Sequence, residues 1–144
     1  MAESRMVQAV TVQRFRDWQS RIAAFVQSRE RAPFAWGDHD CALFVCDAIK
    51  EISGHDPASD VRGYKNERGA ARVVKKLGGM RTIGASRFGM EIHPMQAQVG
   101  DVGLIEIDGR ESFALCGGAV WLAPGLNGLE RLGINVAVMA WRCF

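Results

Sequence analysis

The stretch Pro33 to Lys50, "PFAWGDHDCALFVCDAIK", decides how the rest of the chain is read. A Trp36-Gly37 turn leads into Asp38, His39 and Asp40, and an apolar run begins at once with Cys41. Asp is a preferred helix N-cap, so the spacing predicts a helix starting at Asp40 or Cys41 and running to about Ile52. Cys41, Phe44, Val45, Ala48 and Ile52 share one face; Leu43, Cys46 and Ile49 widen it; only Asp47, Lys50 and Glu51 form a polar strip. A helix apolar round most of its circumference packs on two sides, so this one is central. Gly54 closes it, with Pro57 beyond.

Cys41 carries the chemical question. In the first turn of a helix, free N–H groups and the macrodipole favour an anion. That lowers a thiol's pKa and makes it a better nucleophile. The competing reading is a small apolar residue of the core, because free Cys is among the most buried residue types.

Toward the N-terminus, Phe15, Trp18, Ile22 and Phe25 recur at helical spacing. They predict an amphipathic helix from Thr11, its cap, to about Arg29, stopped before Pro33. Residues 1–10 read as an extended arm. Toward the C-terminus, Asn66 caps a shorter helix with Ala70, Val73, Val74 and Leu77 on its apolar face, closed by Gly78-Gly79. Residues 80–98 read as irregular, with one short strand around Met90 to Ile92. The hydrophobic period then changes. Val102 to Ile107 reads as a strand after a Gly100-Asp101 turn, "DGRE" as a hairpin turn, and "SFALC" and "AVWLA" as two more strands. "PGLNGLERLG" reads as a loop and "VAVMAWRCF" as the last strand. Helices come first and strands second. The expected class is α+β: one domain over residues 1–144, with the Cys-bearing helix packed on a C-terminal antiparallel sheet.

The 144 residues suffice for one domain with a real core. A net charge of +2 gives no argument for nucleic acid or an anionic membrane. No apolar run approaches the roughly 20 residues that span a bilayer, and the first residues lack the apolar core of a secretory signal. Folding in a cytoplasm is expected, including for a protein that leaves it inside an assembled particle. Cys41, Cys46, Cys116 and Cys143 form no C-x-x-C pair, so disulfides are not expected. A four-thiolate metal or iron–sulfur site is open on count alone; buried thiols are the simpler reading, so no cofactor is expected.

"DCALF" opening a central helix, followed much later by "GDVGLIEI" opening a strand, resembles the NlpC-type branch of the papain-like cysteine peptidases. A more detailed likeness is to a phage and prophage group within that fold. Its ordered motifs appear here as "WGDHDC", "GHDP", "RGY", "GDV" and "AWR", from about Pro33 to Arg142. The resemblance implies a papain-like fold with Cys41 as nucleophile and a helix-end oxyanion site. It implies a place in a phage tail tip, beside other tail-tip proteins and facing peptidoglycan. A catalytic His should open the strand after "GDVGLIEI", yet that strand reads "ESFALCGG", with Ser112 or Phe113 in the expected place. Neither replaces an imidazole as general base. The substitute bases are His39, two residues before Cys41, and His93, ahead of the sheet. Trp36, Asp40 and Asp101 are the candidates to support the cleft or the oxyanion, Asp40 as N-cap and Asp101 as an acceptor at the strand start. The expected function is a structural tail-tip protein with degenerate catalysis. The alternatives are an active thiol peptidase or amidase cutting peptidoglycan stem peptides, and a Cys-ligated metal protein.

Overall fold

The computed structural model describes residues 12–144; the expected arm and the Thr11 cap lie outside the described residues. Four helices come first: α1 (Trp18–Arg29), α2 (Cys41–Ser53), α3 (Glu67–Lys76) and α4 (Met80–Arg87). Six strands follow: β1 (Met90–Ile92), β2 (Val102–Ile107), β3 (Arg110–Cys116), β4 (Trp121–Gly125), β5 (Gly128–Leu132) and β6 (Ala137–Arg142). They form one antiparallel sheet in the order β1-β6-β2-β3-β4-β5. The expected α+β architecture is the observed one.

α2 is the centre. Asp40 caps it by accepting from the Leu43 N–H, and Gly54 ends it in the left-handed region at φ 80°. Leu43, Phe44, Val45, Cys46, Ala48, Ile49 and Ile52 are all buried. Each large side chain among them contributes about 1.5–3 kcal/mol through burial. The helix packs on α1 with one side and on β3 with the other. Phe25 stacks on Phe44 at 5.5 Å across the α1 contact.

The sheet divides its residues by the two-residue period of a strand. Along β3, Phe113 and Leu115 join the main core with α2, while Ala114 and Cys116 join a second apolar cluster with Ile105, Trp121 and Ala140. Cys41 packs against the edge of that second cluster.

Four elements differ from expectation. α1 starts at Trp18 because the segment before it is held by tertiary bonds: Val12 N–H donates to Cys143 O and Phe15 N–H to Ile52 O. α4 occupies part of the stretch read as irregular. Its N-cap makes no side-chain bond, and what fits it to the fold is Gly84, whose bare backbone lies against the Trp141 ring. β5 forms where a loop was expected, paired with β4 through a turn at Leu126-Asn127. Finally, the β2–β3 turn is tighter than expected. It uses only Asp108 and Gly109, both at positive φ, so Arg110 and Glu111 belong to the strand.

Candidate active site

The cleft is best built from Asp40, which is 2% exposed. One carboxylate oxygen accepts from Leu43 N–H at 2.9 Å. The other accepts from Gly37 N–H at 3.0 Å and from the Tyr64 hydroxyl at 2.6 Å. Gly37 sits at φ 79°, and a Cβ there would strike the Tyr64 carbonyl oxygen. "WGDHDC" and "RGY" are therefore one interlocked unit. The turn before α2 and the loop before α3 meet on one buried carboxylate. That hydrogen bond and the burial push the Tyr64 hydroxyl's pKa up.

The other ordered motifs are clamps of the same kind. Asp56 of "GHDP" accepts from Ala58 N–H at 2.9 Å and from Arg62 at 2.9 Å. Arg62 reaches on to Asp47 at 2.6 Å, and Asp47 accepts from Arg29 at 3.1 Å. Asp101 of "GDV" accepts from Gln98 N–H at 2.8 Å and from Arg142 of "AWR" at 2.9 Å. Asp101 thus ties the start of β2 to the end of β6. It accepts a backbone N–H at the strand start, as expected, and is not among the residues that line the cleft.

Cys41 lies at the head of α2, part-exposed, on the wall of a cleft of about 830 Å³. Trp36 stands at its mouth, 37% exposed and edge-on to Phe34 at 4.8 Å. The residue beside the thiol is Ser112, from the start of β3. The strand period explains the choice: Ser112 shares the face of Ala114, whereas Phe113 points into the core against Phe88 and Trp141. Of the two residues in the expected place of the base, the fold selects the hydroxyl.

The thiol's pKa is raised, not lowered as its helix position predicts. Burial is the main cause, and the charges of Asp40 and Glu130 add to it; the Ser112 hydroxyl opposes it. The helix end gives little help because Asp40 already occupies the first-turn Leu43 N–H with a negative charge.

Neither candidate imidazole is among the residues that line this cleft. His39 is 4% exposed, edge-on to Phe44 at 5.6 Å, with Nδ1 3.0 Å from Arg29 Nη1. A guanidinium only donates, so Nδ1 accepts and the proton of the neutral ring is on Nε2. That nitrogen is buried with no hydrogen-bond partner among the described residues. Burial and the Arg29 charge lower the His39 pKa. His93 caps the turn at Pro94–Gln96 by accepting from Met95 N–H at 3.0 Å, and it lines a different depression, with Glu91 and Ile134.

No three of the cysteines converge. Among the described residues no group of three or more His, Cys, Asp or Glu side chains is placed to hold a metal ion. Cys46 is buried in α2, Cys116 lies in the second cluster, and the Cys143 thiol, pushed up to about 12 by burial, donates to Phe88 O at 2.7 Å. A shared metal site, the second alternative, is not formed by these thiols. No helix among the described residues is long and apolar enough to cross a membrane.

Four helices packed on a C-terminal six-stranded antiparallel sheet match the NlpC/p60 fold. The chain is similar to the crystal structure of the NlpC/p60 domain of the peptidoglycan hydrolase SagA, with a TM-score of 0.54 and 18% identity. The match covers 85% of this chain and 96% of that one. Within this fold the chain belongs to the family described as domain of unknown function DUF6950, whose model matches residues 13–143. No curated protein is significantly similar to it in sequence.

Proposed function

We propose that this chain is a tail-tip protein of a phage or phage-like particle, in which the NlpC/p60 fold serves assembly and hydrolysis is lost. One observation carries the loss: the side chain beside Cys41 is Ser112. A serine hydroxyl cannot hold the thiol's proton near neutral pH and return it to a leaving amine. His39 and His93 are engaged elsewhere, and the raised thiol pKa leaves little thiolate. The tail location is supported by the ordered motif set. The exposed apolar side chains of Trp36 and Leu126, both on the cleft wall, suit a surface that meets a partner subunit.

The test has two arms. Purified protein and its Cys41→Ala variant are incubated with purified peptidoglycan, and both should leave it intact. Release of stem-peptide fragments by the parent alone would establish the thiol-peptidase alternative, which the placement of Cys41 on an open cleft favours. In particles carrying the gene, mass spectrometry should find the chain in the tail fraction, and Leu126→Asp should reduce its incorporation. Absence from purified tails would overturn the assembly role.

A further inference from the structure

The cleft runs well past Cys41. Its lining also takes in Leu43, Ala58 and Val61, Val73 and Val74 of α3, and Leu77 at the C-cap of that helix. Met80, Ile83 and Phe88 are lining residues as well. Val73 and Val74 of α3, with Leu77 at its C-cap, are half-buried, and Val74 and Leu77 also pack on the main core. All three also line this space, and its size of about 830 Å³ is that of a small-molecule site.

The polar groups on the wall are nearly all engaged. Asp40 and Tyr64 bond each other at 2.6 Å. Arg87 pairs with Asp60 at 2.6 Å and donates to Pro57 O at 3.1 Å. Glu111 pairs with Arg81 at 3.3 Å, and Arg110 reaches Glu67 at 3.6 Å. The buried side-chain nitrogens and oxygens without a partner among the described residues are His39 Nε2 and Trp141 Nε1, and neither residue lines the cleft. A stem peptide drawn inside would have its amides stripped of water with almost nothing to replace it. Each unpaired amide would weaken binding by about tenfold or more. An alkyl chain meets no such penalty. Exposed Lys75, at the C-terminal end of α3, is a wall cation that pairs with no carboxylate among the described residues.

From the lining and this charge we infer that the cleft binds a long-chain carboxylate, with its alkyl chain along Val73, Val74 and Leu77 and its head group at Lys75. The inference stands on the cavity and is independent of whether the protein belongs to a tail.

The test is fluorescence titration of the full chain with cis-parinaric acid, displaced by saturated carboxylates of increasing length. Saturable binding of one probe per chain is expected. Affinity should rise about fourfold per methylene and then level off once the cavity is full. Hexadecanoate should compete about fivefold better than hexadecanol, and Lys75→Glu should remove that preference while leaving the alcohol unchanged. Ala71→Trp, at an exposed position on the wall, should block the probe; circular dichroism establishes that this variant is folded. No saturable binding by the parent, or binding unaltered by Ala71→Trp, overturns the site. Equal affinity for acid and alcohol overturns the head-group assignment. Peptidoglycan digestion would sink the non-catalytic reading and leave this one standing, so the two fail separately.

Discussion

Asp40 and Cys41 are neighbours in the chain and opposites in their surroundings. The carboxylate is saturated by three donors from three segments: the Gly37 turn, the first turn of α2 and Tyr64. The thiol lines a cleft with the Ser112 hydroxyl, and burial raises its pKa. The motif that resembles a nucleophile's signature is also a structural joint, held on the Asp40 carboxylate. The same holds at the other end of the fold, where Asp101 and Arg142 clamp β2 to β6.

The contrast can be broken most severely at Asp40. Asp40→Ala removes the cap and strands buried donors, and should cost about 3 kcal/mol of stability in urea titration. A loss under about 1 kcal/mol would mean the joint is decorative. Arg142→Ala comes next, at about 2 kcal/mol, because it leaves the buried Asp101 carboxylate without its cation while solvent reaches the vacated, part-exposed site. Ser112→His sharpens the other side of the comparison. An imidazole beside Cys41 should raise the rate of thiol alkylation by iodoacetamide at pH 7 by about tenfold. An unchanged rate would show that Ser112 is not the missing base position.

His39 supplies the pH test. Its pKa is lowered in the fold, so the unfolded chain binds the proton first as pH falls. Stability should be full above about pH 6.5 and fall below it until the folded-state pKa is passed. The slope is at most about 1.4 kcal/mol per pH unit. Denaturant midpoints measured from pH 7.5 to 5 should show this, and His39→Gln should flatten that part of the profile. The smallest expected effect is that of Cys41→Ala, within about 1 kcal/mol of the parent, since only one part-exposed sulfur is lost. A larger loss would make Cys41 a core residue first.

Much of the scaffold was legible because its determinants are local. The cap and all-round apolar pattern of α2, the Asn66 cap of α3 and the apolar run of β2 behind its Gly100-Asp101 turn all lie within short windows of sequence. α4 and β5 were not, because what holds them is distant: Gly84 against Trp141, and Leu129 N–H donating to Glu30 O. The site divides in the same way. Cys41 and Trp36 were found from the chain, but Tyr64 as the partner of Asp40 was not, since nothing near either residue announces a bond across 24 positions.

The sequence by itself determined that a cysteine heads a central helix, that Asp40 caps it and that no His opens the facing strand. Those follow from residue identity and short-range spacing. Only the tertiary structure decided that Ser112 rather than Phe113 meets the thiol, that His39 turns to Arg29, and that Asp101 serves the C-terminal strand. Each depends on strand register and side-chain direction, which are set by packing between segments far apart in the chain.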